Sequence, residues 1–224
     1  MGGKEFINTK SMNDRLRRHY FPVITLMLFV VFIFYLKRGK RDAITFITDA
    51  TGYISVVMLS VSLVMGTLNL LLKYKNPLSS YFRRDISIIA GSIAVIHSVT
   101  GLFVHMRGNG WQYFLNKTES GYSVRLDHFG LANYTGLFSA LIIVLLLMTS
   151  SDYSLKKLGH VRWKSIQRLS YLMIALVFIH CYFYRIGNNN LSPFFWFYFP
   201  LLAMILTFQI MGVSIRLKGR RTEE

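Results

Sequence analysis

Two stretches of the chain decide its fold. Residues 86–105 read ISIIAGSIAVIHSVTGLFVH, and residues 166–184 read IQRLSYLMIALVFIHCYFY. Each stretch has about the 20 residues that a helix needs to cross a bilayer, and each is almost free of charge. One histidine lies deep in each stretch, His97 in the first and His180 in the second. The two stretches therefore predict membrane helices that carry an ionisable group inside the membrane.

Further apolar segments predict further helices along the chain. They cover residues 20–36, about 47–72, 129–148 and 193–213. We therefore predict an all-α integral membrane protein with a bundle of six transmembrane helices, or five if residues 20–36 do not span. Residues 20–213 are expected to form the membrane domain. Residues 1–19 and 214–224 are expected to be basic cytoplasmic tails.

The composition excludes most soluble classes of protein. The chain of 224 residues is 53% hydrophobic, with a mean hydropathy of +0.39, and it carries 26 Lys and Arg against 10 Asp and Glu. In a soluble chain this charge would indicate nucleic-acid binding. The basic tails, however, lack the interleaved aromatic residues that stack on bases. We expect no nucleic-acid partner and assign the charge to contact with anionic membrane lipid.

The distribution of basic residues predicts the orientation. The two tails and the second and fourth loops carry 18 Lys and Arg, whereas the other three loops carry 8. Because basic loops stay in the cytoplasm, both termini are expected there, or the C-terminus alone if residues 20–36 do not span. The longest outer segment, residues 106–127, holds Trp111, Tyr113 and Tyr122. Aromatic residues of this kind predict a hairpin at the membrane surface.

The two deep histidines are the strongest functional signal. His97 lies 13 residues beyond Arg84, and His180 lies 12 beyond Arg168. At 1.5 Å per residue, both are roughly 18–20 Å from the cytoplasmic ends of their helices. Two facing histidines at one depth are what a bis-histidine haem requires. The alternative is two unrelated packed histidines. Nearby small residues leave room for a flat ring: Gly91, Ala94, Gly101 and Ala175.

The other histidines have simpler interpretations. His19 and His160 lie among basic residues, so they are expected to be solvated or in contact with lipid. His105 and His128 lie at the predicted outer ends of two helices. An interfacial position is the default there, and contact with a cofactor or a partner is the alternative.

A string of residues around the fourth loop carries a family resemblance. It comprises Thr149, Ser150, Asp152, Leu158, Gly159, Trp163, Arg168, Leu169, Tyr171 and His180. Two shorter groups accompany it: Arg83, Arg84, Asp85, Gly91 and His97, and then Thr51 and Gly52. Over roughly residues 44–184 the chain resembles the ferric-reductase-like transmembrane domain family. Within that family it is similar to the MsrQ type (YedZ type), the haem-binding membrane subunit of the periplasmic methionine sulfoxide reductase system.

The resemblance implies a haem b protein of the bacterial inner (plasma) membrane that transfers electrons. In this family the electrons come from quinol or a cytoplasmic flavin reductase, and they leave to a periplasmic or membrane redox partner. In the best-known case that partner is a molybdenum-containing reductase. His97 and His180 match the family's outer ligand positions, so the resemblance places a haem between the third and fifth predicted helices. The chain would then be an electron-transfer subunit without catalytic residues of its own.

Gln167 departs from the family pattern, which usually has a histidine at that position. A carboxamide is not an ordinary haem ligand, and Arg83 at the partner position cannot replace an imidazole either. We therefore expect one haem, in the outer half, with FMN or quinone as a possible bridge near the cytoplasmic face. Four basic residues are candidates for holding an anionic flavin phosphate: Arg83, Arg84, Lys164 and Arg168. Ordinary positive-inside charge is the alternative explanation for them.

Two other functions stay open on the sequence. The chain could be a non-redox scaffold or assembly subunit that kept the fold while its ligand set degraded, and Gln167 is the feature that favours this. A transporter or channel is the second. It would need intramembrane carboxylates or helices broken at the midplane. The deep segments contain no Asp or Glu, which argues against transport.

Overall fold

A computed structural model describes residues 12–38, 42–72, 77–107 and 109–221, and these ranges are almost entirely helical. A short helix α1 (Met12–Arg15) and a π-helical turn (Leu16–Tyr20) lead into α2 (Phe21–Arg38). The later helices are α3 (Ala43–Leu71), α4 (Pro77–Gly101), α5 (His128–Met148), α6 (Asp152–Gln167), α7 (Leu169–Gly187) and α8 (Phe199–Arg221). The outermost parts of both predicted tails and part of the first predicted loop lie outside the described residues.

Five helical stretches in the described ranges are long and apolar enough to cross a membrane. They are Leu16–Lys37, Ala43–Leu71, His128–Met148, Asp152–Gly187 and Phe194–Ile215. The remaining predicted segment lies in α4, whose first half contains Arg83, Arg84 and Asp85 and is therefore less apolar. Helix α4 packs against α3 and α5 within the bundle. The predicted all-α, multi-pass membrane bundle is confirmed.

Two helix pairs form the centre of the bundle. Helix α3 packs along α4, and α5 packs along α7, with α8 against the outer side of α3. Apolar side chains such as Val56, Ala90, Ile143 and Val177 fill the space between the pairs. Helix α2 is largely exposed and touches α3 through aromatic contacts such as Phe34 on Phe46. The buried core therefore belongs mainly to α3, α4, α5 and α7.

Helix α6 was not predicted, because it lies in what the sequence suggested was a loop. It begins after Ser151, whose hydroxyl accepts a hydrogen bond from the N–H of Ser154, and it buries no residue. Gly159 interrupts it with a φ of 71°, a backbone conformation that glycine adopts without strain. At the other end of the chain, α8 continues past the predicted end of the last span at residue 213.

The segment between α4 and α5 contains the predicted hairpin. Strand β1 (Leu115–Thr118) pairs antiparallel with β2 (Gly121–Val124), and Leu115 faces Val124. Trp111 and Tyr122 are exposed, as expected for aromatic residues at a membrane surface. We call this end of the bundle the hairpin end and the opposite end the α6 end. Helices α4 and α7 finish at the hairpin end, where α3 and α5 begin.

Asp127 connects the hairpin to the start of α5 through hydrogen bonds. Its carboxylate accepts hydrogen bonds from the N–H of Gly130 at 2.7 Å and from Nε of Arg125 at 3.0 Å. Burial favours a raised pKa for Asp127, but these hydrogen bonds outweigh it and lower the pKa below its ordinary value. The carboxylate is therefore charged at neutral pH, and the start of α5 keeps its cap.

A buried ionic cluster joins the N-terminal helices to α4. The Asp85 side chain is fully buried, and it accepts hydrogen bonds from Arg15, from Nδ1 of His19 at 2.6 Å and from the Tyr20 hydroxyl at 3.2 Å. The prediction that His19 is solvated or faces lipid was therefore wrong. A carboxylate 66 positions along the chain gives this imidazole a buried partner.

We expect Asp85→Asn to reduce the free energy of unfolding by about 3–5 kcal/mol, because Arg15 would lose its buried counter-charge. Asp42→Asn is the matched control, since Asp42 pairs with Arg107 at 3.1 Å in an exposed ion pair. That change should cost less than about 1 kcal/mol, and asparagine still caps α3. Denaturant unfolding of both variants in one detergent measures the difference, and equal losses would contradict a structural role for the cluster.

Candidate functional site

A cavity of about 350 Å³ lies inside the bundle towards the hairpin end. Residues of α3, α4, α5 and α7 line it, with Phe114 and Tyr198 contributing from connecting segments. The volume is in the range of sites for small molecules and cofactors, and the wall is mostly apolar. Polar groups enter it at a few points, among them His97, His180 and Arg185.

His97 on α4 and His180 on α7 come together in this cavity. Their ring centroids are 6.4 Å apart, and the ring planes are inclined at 80°. Two imidazoles on opposite sides of one metal ion, with metal–nitrogen bonds of about 2 Å, have ring centres about 6 Å apart. The separation of the two rings therefore fits a metal ion between them. The structure brings together the two histidines that the sequence placed at one depth.

A hydrogen bond to a helix carbonyl orients each ring. Nδ1 of His97 lies 2.9 Å from the carbonyl oxygen of Thr48 on α3, and Nδ1 of His180 lies 2.7 Å from that of Ala132 on α5. Because a carbonyl oxygen can only accept, Nδ1 carries the hydrogen in both rings. Nε2 of each neutral imidazole then keeps its lone pair. Hydrogen bonds of this kind fix the tautomer and orientation of metal-binding histidines.

The histidine pair suits a metal ion that arrives with its own equatorial ligands. Within the described ranges, no three His, Cys, Asp or Glu side chains are close enough together to hold a metal ion. His97 and His180 supply two imidazole ligands, and haem iron takes its axial ligands from side chains of this type. The apolar wall provides a dry environment for a macrocycle in the bundle core.

A glycine on the neighbouring helix makes room for each ring. A Cβ atom at Gly52 would lie 2.8 Å from Cε1 of His97, and one at Gly136 would lie 2.8 Å from Nδ1 of His180. Any side chain at either position would have to displace the imidazole. On both helices the glycine follows the residue with the accepting carbonyl by four positions, which is about one helical turn. The two histidines are therefore held in the same way by two different helix pairs.

Two of the four small residues that were expected to make room line the cavity, namely Ala94 and Gly101. Gly91 instead lies against Leu147, and Ala175 is exposed outside the cavity. The glycines that do contact the rings could not be assigned this role from the sequence. Their position opposite a histidine depends on which helices pair and in which register.

Tyr184 connects His180 to the surface at the hairpin end. Its ring is stacked on that of His180, with centroids 6.1 Å apart and an angle of 26° between the planes. Its hydroxyl lies 2.8 Å from Nε2 of His105, which is exposed. A continuous path of contacts therefore leads from the histidine pair to the surface.

Arg185 brings a positive charge to the cavity, and sequence analysis did not single it out. Nη2 of Arg185 donates a 2.6 Å hydrogen bond to the hydroxyl of Tyr53 on α3. The Tyr53 ring is in turn stacked on that of Tyr198, with centroids 5.8 Å apart and an angle of 15°. In the sequence, the one feature that distinguishes Arg185 is that it is the single basic residue in the last predicted outer loop.

The four basic candidates for a flavin phosphate lie towards the α6 end, and none of them lines the cavity. Nη1 of Arg84 is bound to Asp152 at 2.5 Å. Arg83, Lys164 and Arg168 are exposed. The structure therefore gives Arg84 an ion-pair role, places the guanidinium of Arg83 next to Gly66 of α3, and leaves Lys164 and Arg168 exposed.

Gln167 has a structural contact at the position where a histidine was expected from the family pattern. Its Nε2 donates a hydrogen bond of 3.1 Å to Oγ1 of Thr149. The indole N–H of Trp163 donates to the carbonyl oxygen of the same Thr149 at 2.8 Å. These two hydrogen bonds join α6 to the end of α5. Gln167 does not line the cavity.

Comparisons with known proteins assign the chain to a family. The sequence pattern of the family described as ferric reductase like transmembrane component matches residues 51–179, which is more than half of the chain. The chain is also similar to the protein-methionine-sulfoxide reductase heme-binding subunit MsrQ of Deinococcus radiodurans. The two are 25% identical over 175 residues, which cover 76% of this chain and 73% of the relative.

We expect Gly136→Val to reduce the free energy of unfolding by about 1–3 kcal/mol, because the added side chain overlaps the His180 ring. Valine and glycine differ little in helix propensity, so overpacking dominates. Gly110→Val is the control, since nothing lies within 4 Å of a Cβ atom there. Denaturant unfolding in one detergent compares them. A G136V variant as stable as the control would refute the close contact of α5 with His180.

Proposed function

The chain belongs to the ferric reductase like transmembrane component family, and we propose that it is the haem-binding membrane subunit of an electron-transfer system. One observation carries the proposal. His97 and His180 face each other in an apolar cavity with Nδ1 of each ring bound to a carbonyl, which leaves both Nε2 atoms open to a shared metal ion. The relative's name, a heme-binding subunit, supports the same cofactor.

In this proposal His97 and His180 would hold haem b through their imidazoles. Bound haem supplies reversible one-electron chemistry at its iron. The chain itself orients the two imidazoles through the carbonyls of Thr48 and Ala132. Its apolar wall excludes water, which keeps the dielectric constant around the cofactor low. In this proposal the chain transfers electrons, and the conversion of a substrate belongs to the redox partner.

We propose that the electrons leave at the hairpin end. Tyr184 stacks on His180 and contacts His105, which is exposed at that end. The count of basic residues supports a periplasmic position for this end and a cytoplasmic position for the C-terminus. The acceptor is then a periplasmic or membrane redox partner. The relative's name indicates a methionine sulfoxide reductase as the type of partner.

The donor is proposed to act at the α6 end. A quinol in the membrane or a cytoplasmic flavin reductase would be oxidised there, and the electrons would pass to the cofactor. The exposed charges of Lys164 and Arg168 support attraction of an anionic group such as a flavin phosphate. Arg84 is bound to Asp152 and contributes less to that attraction.

We expect His97→Ala and His180→Ala each to lose the bis-histidine absorption spectrum and most of the bound haem, because each removes one of two axial ligands. His160→Ala, on an exposed part of α6, is the control and should keep both. Absorption spectra of the oxidised and the dithionite-reduced protein, together with the haem content per chain, test this prediction. Either alanine variant with an unchanged spectrum would refute the ligand assignment.

We also expect about one haem per chain in the wild-type protein, because Gln167 is bound to Thr149 and offers no imidazole for a second site. A pyridine haemochrome assay on protein from haem-replete cells measures the ratio. A value near two would overturn the single-site proposal. Protein without haem would favour the scaffold or assembly role.

A further inference from the structure

The positive charge in the cavity has an environment that differs from that of the other charged groups in the bundle. Arg185 lines the cavity in the last turn of α7. Among the residues that the structure describes, no ion pair includes this guanidinium. Its hydrogen-bonding partners are hydroxyl groups and not carboxylates, namely those of Tyr53, 2.6 Å away, and of Tyr198. A guanidinium has five N–H donors, so further donors are available.

The two tyrosines fix the direction of this guanidinium. The ring of Tyr53 contacts both the guanidinium of Arg185 and the ring of Tyr198. Tyr198 is only 6% exposed and is itself packed by Phe194 and Phe197. The side chain of Arg185 is therefore anchored through Tyr53 on α3 and cannot turn freely towards water.

The cavity around Arg185 has an apolar part and a charged part. Val56, Leu59 and Val177 contribute apolar wall, and Arg185 contributes positive charge near the hairpin end. A cation held next to a region of low dielectric is stabilised by an anion that reaches it. Asp49 also lines the cavity, and its charge acts on Arg185 from a distance, since none of the ion pairs found among the described residues joins the two. The cavity thus fits a flat, mostly apolar ligand with an anionic edge.

We propose that Arg185, oriented by Tyr53, binds a carboxylate of the haem and so directs the carboxylate edge of the cofactor towards the hairpin end. This role rests on the proposed function. Hydrogen bonds between a guanidinium and a carboxylate are short and strong because both partners are charged. The geometry of the fork also favours arginine over lysine at such a site. Arg185 would then select a carboxylate-bearing macrocycle over a neutral apolar ligand such as a quinone.

The test compares two forms of the cofactor in the full-length protein purified from haem-deficient cells. One form is haemin, with free carboxylates, and the other is its dimethyl ester, in which both carboxylates are neutral. Titrations followed by absorption give the dissociation constant for each. We expect wild-type protein to bind haemin about tenfold more tightly than the ester or better, which corresponds to about 1.4 kcal/mol. In Arg185→Gln this ratio should fall close to one.

Two further variants keep the test decisive if Arg185→Gln folds poorly. Arg185→Lys keeps the charge without the fork and should retain part of the preference. Tyr53→Phe removes the hydroxyl that orients the guanidinium and should reduce the preference as well. Arg107→Gln is the control, because Arg107 is exposed, pairs with Asp42 and does not line the cavity. It should keep the wild-type ratio.

A second measurement uses the haem-loaded protein. Loss of a positive charge beside the cofactor disfavours the reduced form, so the reduction potential of Arg185→Gln should fall relative to wild type, while that of Arg107→Gln should stay. Equal binding of haemin and ester by wild type, or an unchanged ratio in Arg185→Gln, would overturn the role of Arg185 and leave the proposed function intact. Failure of wild type to bind either form would overturn both.

Discussion

Two hydrogen bonds between imidazole rings and helix carbonyls set the register of the whole bundle. An imidazole inside an apolar core carries a donor that must be satisfied. His97 finds its acceptor on α3 and His180 finds its acceptor on α5, in each case one turn before a glycine. A shift of either helix pair by one residue would move the carbonyl away and place a side chain against the ring. The cavity, the facing of the two rings and the path to the surface all depend on this register.

Two charged groups in the interior of the bundle, Asp85 and Arg185, have opposite kinds of partner. Asp85 has three hydrogen-bonding partners from the N-terminal helices and is fully buried. Its carboxylate therefore joins these helices to α4. Arg185 has neutral tyrosines as bonded neighbours and borders a cavity. The protein itself supplies the partners of Asp85, whereas the guanidinium of Arg185 has further donors that can bind a ligand. Asp85 and Arg185 both lie next to the core, so burial alone does not distinguish a structural ion cluster from a binding group. The type of partner does distinguish them.

The spans and the histidine pair could be predicted from the sequence because both are local or periodic. Length and hydropathy locate the helices, and the spacing from the nearest basic residue gives the depth of His97 and His180. The partners of these histidines could not be predicted, because the bonds to Thr48 and Ala132 join residues almost 50 positions apart. The contact between Arg185 and Tyr53 spans 132 positions. Helix α6 could not be predicted, because its polar composition is also typical of a loop.

The Asp85 cluster also bears on how the protein is made. Arg15 and Asp85 are 70 positions apart, with α2 and α3 between them. During synthesis the N-terminal helix therefore leaves the ribosome well before the carboxylate that neutralises it exists. Until α4 has entered the membrane, Arg15 must stay in water or against lipid headgroups, because a lone cation is too costly to bury. The insertion of α4 is thus the step at which the first helix can be locked in place, and the order of biosynthesis becomes part of the folding mechanism.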